Sequence, residues 1–376
     1  VIRLGILGGG QLAQMMIQAA ISLGVEIAIF EQTPDSPASR LTKHDVVGKW
    51  ADLDKLKQFV DLCDVVTLEN EFVDAELLAQ IEAWGVPVYP TAHTLAQVQD
   101  KLIQKQTMLK NDVSMPPFAD VQTASDVVNF ASQFNYPVVL KKRRNGYDGY
   151  GNALIASEAD IQSAFDKLDG AEGGLFVEGF VEFVQELAVM VLRGRDGEIL
   201  AYPVVETVQK DHRCHIVRAP ALVSNATWAL AEQIAKQAVV AVDGVGVFGV
   251  ELFLLADGTV VYNEIAPRPH NSGHYTIEGC ITSQFENHIR AVLGWSLGGV
   301  EMVKPSAVMV NILGGFDGEL KPDVSKDALI VPNAHLHLYG KRDVRKGRKM
   351  GHVTVIGDDL AKCERLALRA VEAMEI

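Results

Sequence analysis

The run Phe248-Gly249-Val250-Glu251-Leu252-Phe253, the turn Asp257-Gly258 and the run Val261-Tyr262-Asn263-Glu264-Ile265 decide how this chain is read. Asp-Gly between two apolar runs is a strong hairpin signal. Each run carries one carboxylate inside an apolar strand pattern, where an ionised group is costly unless it is paired or binds a cation. The turn sets the two strands side by side, so Glu251, Glu264 and Asn263 can face one volume. Oxygen-only donors of this kind suit Mg2+ held together with nucleotide phosphates. The plainer alternative is that each glutamate faces solvent or pairs with a lysine or arginine.

Moving upstream, Asp196-Gly197 marks a second hairpin between 187–193 and 198–205, and residues 225–243 read as a helix between the two hairpins. Residues 136–142 read as a strand ending near Lys141, followed by Asn145-Gly146-Tyr147-Asp148-Gly149-Tyr150-Gly151. A lysine fixed by a strand beside glycine amides can hold phosphate oxygens, and glycines permit the loop to close over them. An ordinary surface lysine beside a loose loop would look the same. Phe176-Val177-Glu178-Gly179-Phe180-Val181 can offer a strand edge to a purine ring, and Glu186 lies downstream for ribose hydroxyls. This middle region reads as antiparallel α+β.

The first 92 residues have a different rhythm. Strands at 2–7, 25–30, 65–68 and 87–89 alternate with helical segments, the pattern of a doubly wound parallel unit. Gly8-Gly9-Gly10 joins the first strand to a helix, and Glu31 ends the second, which also fits a dinucleotide fingerprint. Residues 95–110 read as one helix. Past 296 come strands at 306–313, 334–339 and 352–356 and a helix at 358–374. The expected organisation is therefore three domains, 1–92, 93–296 and 297–376.

The chain has 376 residues, with 34 Lys plus Arg against 48 Asp plus Glu, a net charge of −14. That balance opposes a coat on nucleic acid or anionic membrane, both of which need a broad positive surface. Residues 341–349 are the exception: six basic and one acidic residue give +5, leaving −19 for the remainder. A dense positive turn in an acidic chain is a place for a dianion, although many such turns are merely solvated. Cys63, Cys214, Cys280 and Cys363 are scattered and form no CxxC pair, which argues against a disulfide scaffold or a cysteine zinc site. No apolar run is long enough to span a bilayer. The opening Ile2–Leu7 reads as a strand and not as a signal peptide, so a cytoplasmic protein is expected. His212-Arg213-Cys214-His215 resembles half a metal cluster with no second ligand pair and reads as a loop. His335 and His337 alternate with leucines and read as structural.

Lys101, Lys141, the Gly146–Gly151 loop, Glu178, Glu186, Glu251 and Asn263-Glu264 resemble, in this order, the ATP-grasp ligases. Asn263-Glu264-Ile265-Ala266-Pro267-Arg268-Pro269-His270-Asn271-Ser272-Gly273-His274, with Gly10-Gln11-Leu12 and the basic turn, is similar to the N5-carboxyaminoimidazole ribonucleotide synthetase family of purine biosynthesis. The resemblance covers nearly the whole chain. It implies an ATP-grasp fold: an N-terminal doubly wound parallel α/β domain, a central antiparallel ATP-grasp domain and a small C-terminal α+β domain. It implies ATP contacts from Lys101, Lys141, Gly146, Asp148, Gly149, Glu178 and Val181, with Glu186 at the ribose. Glu251, Glu264 and Asn263 would hold Mg2+, as two ions. Arg268, His270 and Asn271 would border the reaction centre, together with Lys141. Lys341 and Arg348 would grip the 5′-phosphate of 5-aminoimidazole ribonucleotide, Tyr147 would lie beside its imidazole, and Glu71, with Glu69 as second choice, would meet it from the first domain. Tyr150 departs from the basic residue usual at that loop position.

The reaction so implied is ATP-dependent carboxylation of the ribonucleotide amine by bicarbonate through carboxyphosphate, in a homodimer. The alternatives are another ATP-grasp ligase such as a formate-dependent glycinamide ribonucleotide transformylase, an NAD-dependent oxidoreductase built on Gly8–Gly10, and a catalytically silent nucleotide-binding regulator.

Overall fold

The computed structural model describes residues 1–146, 151–168, 174–320, 323–374 and 376. Strands β1 (Arg3–Leu7), β2 (Glu26–Glu31), β3 (His44–Val47) and β4 (Val65–Leu68) form a parallel sheet in the order β3-β2-β1-β4. The helix Gln11–Leu23 buries Leu12, Met15, Met16, Ile17 and Ala20, and Gly24 ends it in the left-handed region at φ 67°. Its apolar stripe meets Phe285, Ile289 and Val292 of the helix Gln284–Leu293. The first sheet is thus anchored to a distant part of the chain by one shared core. Strand β3 escapes a reading by apolar runs because it is a half-exposed edge, His44-Asp45-Val46-Val47. The strand expected at 87–89 reduces to a single bridge, Val66 with Val88.

Next come β5 (Phe118–Val121), β6 (Val138–Lys142), β7 (Asn152–Ile155) and β8 (Leu175–Gly179), an antiparallel sheet in the order β5-β8-β6-β7. The helix Ala124–Phe134 covers one face through Val127, Phe130 and Ala131. Strands β9 (Phe183–Arg193), β10 (Ile199–Ala201), β11 (Val205–Lys210), β12 (Arg213–Ala219), β13 (Gly246–Leu255) and β14 (Val260–Ala266) follow. Both Asp-Gly hairpins form, β9–β10 and β13–β14. A third, β11–β12, turns at Asp211 and His212, which have φ of 52° and 62°. Its strands alternate with Glu206, Gln209, Lys210 and Arg213, which disguises them as loop.

The C-terminal strands are β15 (Ser306–Leu313), β16 (Gly318–Glu319), β17 (Ala334–Leu338), β18 (Asp343–Val344) and β19 (Lys349–Gly357). Strand β15 pairs with β12, so three of them continue the central sheet as β14-β13-β9-β11-β12-β15-β19-β17, with β10 on the side of β9. The helix Leu360–Glu372 packs Cys363, Ala367 and Ala370 against β15 and β19.

The helix expected over 95–110 is two, Ala92–Gln99 and Lys101–Lys110, broken at Asp100. Asp100 is 3% exposed. Its carboxylate accepts from the N–H groups of Leu102 and Ile103 at 3.0 and 3.2 Å and takes both Nε and Nη2 of Arg143. One side chain thus caps a helix and ties it to the end of β6. Asp100→Ala removes the cap and leaves Arg143 without its fork. It is expected to cost about 3 kcal/mol, read as a fall of several degrees in the first thermal transition, with Asp100→Asn in between because it keeps a cap acceptor.

Candidate active site

Glu251 and Glu264 are directly opposed across β13 and β14. The register then slips, with Leu252 facing Tyr262, so Asn263 is the extra residue of a bulge. A bulge bends the strand and re-aims its side chains, here beside both carboxylates. Lys101 Nζ lies 2.6 Å from Glu264 Oε2, and His270 Nε2 lies 3.4 Å from Glu251 Oε1. The two acids separate electrically. Burial pushes Glu251 up to about 8, helped by the neighbouring charges of Glu264 and Glu186. Burial also acts on Glu264, but the Lys101 ammonium overcomes it and holds Glu264 at about 2. At neutral pH the pair therefore carries one proton and one negative charge.

Glu178 on β8 is opposite Val139 of β6 and Phe118 of β5, and is 4% exposed. It pairs with two lysines, Lys141 at 2.5 Å and the buried Lys105. Burial would raise the Glu178 carboxyl, and the two ammoniums instead hold it below its ordinary range. Lys105 is the functional candidate that sequence reading missed. The signal was available: it is four residues from Lys101 on one helix, so both project from one face. Its buried partner on β8 is not visible along the chain.

Glu186 on β9 accepts from Gln209 Nε2 at 2.7 Å, and burial raises its pKa. Half-buried Val181 links β8 to β9, and Phe183 stacks on Phe253 with ring centroids 4.6 Å apart. Exposed Phe180 and Val184 complete an apolar rim. Gly146 closes the near end of the glycine loop, its Cα 3.1 Å from where a Cβ on Gly151 would stand. Tyr147, Asp148, Gly149 and Tyr150 lie outside the described residues.

Arg268 reaches the first sheet: Nε and Nη2 fork onto the two carboxylate oxygens of Glu71, the second at 2.9 Å. Burial works against ionisation of Glu71, but this guanidinium holds its carboxyl below the ordinary range. Glu69 has another task. It accepts from the N–H groups of Gly10 and Ala13 at 2.8 and 3.1 Å, while Glu31 accepts from Gly9 at 2.8 Å. The amides that a dinucleotide pyrophosphate would need are thus taken by the chain's own carboxylates, which removes the basis of the NAD reading.

His270 has Nδ1 2.8 Å from Ser272 Oγ. Burial, then the charges of Arg268 and Lys349, lower its pKa to about 3. Asn271 exchanges two amide hydrogen bonds with Asn311 of β15, at 2.9 and 2.6 Å. Its side chain is thereby engaged as a tie between the 3-10 turn Asn271–Gly273 and the sheet. Lys341 Nζ donates to the carbonyl of Lys349 at 2.8 Å and lies 5.5 Å from the Tyr339 ring centroid. Burial, then Arg348, bring it down to about 8. Arg348 donates to the carbonyl of Asp343 at 2.9 Å. The turn folds back on the first sheet: Arg342 pairs with Asp35 at 2.5 Å, and Arg40 Nη1 lies 3.2 Å from the position a Cβ on Gly340 would take. Arg40 is a second cation that sequence reading did not bring here. His337 pairs with Glu278 at 2.7 Å and stacks on His352.

Residues 1–99 match the ribonucleotide synthetase preATP-grasp domain, 106–285 the ATP-grasp domain and 307–366 the phosphoribosylaminoimidazole carboxylase C-terminal domain. The chain is 43% identical over 364 residues to a chloroplastic phosphoribosylaminoimidazole carboxylase of Vigna aconitifolia, covering 96% of this chain and 65% of that protein. It thus spans about two thirds of the length of that longer relative. It is 40% identical over 372 residues to the N5-carboxyaminoimidazole ribonucleotide synthase of Mycobacterium bovis, covering 96% of this chain and 86% of the other. The crystal structure of the N5-carboxyaminoimidazole synthase of Aspergillus clavatus in complex with ADP and 5-aminoimidazole ribonucleotide is similar at TM-score 0.91 and 37% identity, over 100% of this chain and 98% of that one. The synthetase of Thermotoga maritima matches at TM-score 0.88 and 39% identity, over 99% and 98%. Together with the fold and the opposed carboxylates, these likenesses show that the chain belongs to the N5-carboxyaminoimidazole ribonucleotide synthetase family of ATP-grasp proteins.

Proposed function

We propose that this chain uses ATP and bicarbonate to carboxylate 5-aminoimidazole ribonucleotide, releasing ADP and phosphate. What supports this reading is the opposed Glu251–Glu264 pair, with Lys101 on one carboxylate and His270 beside the other. The same reading divides the chain at 92 and 296 and assembles it as a homodimer. Cys63, Cys214, Cys280 and Cys363 form no disulfide among the described residues, which agrees with a reducing compartment such as the cytoplasm. Among the described residues no helix is long and apolar enough to cross a membrane.

Magnesium fits the donors. No cluster of three or more His, Cys, Asp or Glu forms a ready cage among the described residues. Two carboxylates and the Asn263 amide would therefore supply part of the shell, with phosphate oxygens and water completing it. When bound, the metal supplies charge neutralisation at the transferring phosphoryl group.

Bicarbonate oxygen attacks the γ-phosphorus, giving carboxyphosphate and ADP. Lys101 and Lys141 meet the phosphate oxygens, exchanging their carboxylate partners for them. Glu178 then keeps the buried Lys105 as its partner, so its carboxylate stays compensated when Lys141 turns to phosphate. Arg268 holds the carboxylate end of carboxyphosphate, and Glu71 turns to the ribonucleotide. The ribonucleotide amine then attacks the carboxyl carbon and phosphate departs. His270 is a weak base at a pKa of about 3, so the departing phosphate takes the amine proton. His270 donates from Nε2 to the anion instead.

The decisive assay is ADP release with bicarbonate, with and without 5-aminoimidazole ribonucleotide. Stimulation by the ribonucleotide is expected, and its absence, or stimulation by glycinamide ribonucleotide with formate, would overturn the reading. Glu264→Gln is expected to abolish ADP formation while leaving the circular dichroism spectrum unchanged. Because burial and the neighbouring Glu264 raise Glu251 in the free chain, Mg2+ binding should release protons at pH 7. Its affinity should then tighten as pH rises toward 8.5, measured by calorimetry in buffers of different ionisation enthalpy with a non-hydrolysable ATP analogue. Lys341→Ala should raise the ribonucleotide KM by about 10- to 100-fold with little change in the ATP KM. In the unmodified chain that KM should rise above pH 8, where Lys341 loses its charge.

A further inference from the structure

Gln284 opens the helix Gln284–Leu293, is 0% exposed and carries none of the roles assigned above. Its amide holds the backbone of His270 from both sides. The His270 N–H donates to Oε1 at 3.0 Å, and Nε2 donates to the His270 carbonyl at 2.8 Å. Both bonds are chemically unambiguous, because a backbone N–H only donates and a carbonyl only accepts. Flipping the amide would set donor against donor and acceptor against acceptor, so its orientation is determined.

The second hydrogen on Gln284 Nε2 then has one recipient, His274 Nδ1, at 3.0 Å. Nδ1 must be an acceptor, so His274 is a neutral imidazole with its proton on Nε2. Protonated at Nδ1 it would present a hydrogen to a hydrogen and break the clamp. The surroundings oppose that charge as well: His274 is 1% exposed, 5.5 Å from the Phe285 ring and 5.0 Å from that of His352.

Two glycines make the arrangement sterically possible. A Cβ on Gly273 would stand 2.3 Å from Gln284 Oε1, and one on Gly249 would stand 2.4 Å from His270 Cβ. The imidazole of His270 is consequently delivered from a fixed backbone to one place, between Ser272 Oγ and the Glu251 carboxylate.

We propose that Gln284 and His274 are positioning residues of the reaction centre: neutral His274 orients the Gln284 amide, which locks the backbone that aims His270. This rests on the reading of His270 as the group beside carboxyphosphate. Neither residue touches substrate. Their effect runs through the aim of one ring, where a displacement well under an ångström is felt in turnover more than in ATP binding.

Two measurements test it. In protein labelled with 15N-histidine, the His274 signals, assigned by their loss in His274→Asn, should report an unprotonated Nδ1 and a protonated Nε2 across roughly pH 6 to 8. A protonated Nδ1 overturns the proposal whatever the enzyme's substrate is. In the ribonucleotide-dependent ADP assay, His274→Phe keeps ring volume but offers no acceptor, and should lower kcat at least about tenfold with the ATP KM within about twofold. His274→Asn offers Oδ1 near the place of Nδ1 and should recover most of kcat. Gln284→Glu has at most one hydrogen to donate and cannot serve both partners, so it should resemble His274→Phe. Wild-type kcat in His274→Phe, or a His274→Asn enzyme no better than His274→Phe, overturns the proposal. If the unmodified chain shows no stimulation by the ribonucleotide, the functional reading fails, and the tautomer measurement still decides the clamp.

Discussion

Two carboxylates opposed across one buried hairpin set the terms for the rest of the molecule. Glu251 and Glu264 cannot both stay ionised without compensation, because like charges in a partly desolvated place repel strongly. Compensation comes from outside the hairpin. Lys101 arrives on a helix that begins at Asp100, and Asp100 is itself held by Arg143 from the end of β6. His270 arrives from the turn that follows β14. The hairpin thereby recruits the smaller antiparallel sheet and the segment after β14. The charges of the pair are thus balanced by groups that three separate elements supply.

A second chain of dependence runs through segment 69–71. Glu69 ties the N-terminus of the helix Gln11–Leu23, and Glu71 ties Arg268. The first sheet therefore meets Arg268 through a short loop at the C-terminal end of β4. This is the usual place for function in an open parallel sheet, used here to send a carboxylate outward while the helix N-terminus is closed with another.

Much of the architecture was legible because its signals are local. Asp-Gly turns between apolar runs mark β9–β10 and β13–β14, and acids inside those runs mark the site. The glycine turn at Gly8–Gly10 was legible as a tight strand-to-helix joint and misleading as a dinucleotide seat. What distinguishes the two is Glu69, nearly sixty residues away in sequence. Lys105, Arg40 and Gln284 were hidden for the same reason: each acts through a partner on another element, Glu178, the turn at Gly340 and His270. The break at Asp100 was hidden differently. Helical periodicity continues across it, and only the capping bonds reveal that the direction changes. Edge strand β3 and hairpin β11–β12 were missed because their polar residues, His44 and Asp45 in one and Glu206, Gln209, Lys210 and Arg213 in the other, leave apolar runs too short to see.

The continuity of the central sheet carries a geometric consequence. From β13, with Glu251, to β19, with Lys349, there are five strand-to-strand steps, which in a flat sheet would span about 24 Å. What bridges that distance is the segment after β14. Asn271 bonds Asn311 of β15, and Glu278 pairs with His337 of β17, so this segment crosses the sheet from one edge toward the other. Its length is matched to the number of strands it crosses. An added or lost strand between β13 and β15 would pull His270 from Glu251, or Asn271 from Asn311, even if all four residues were kept.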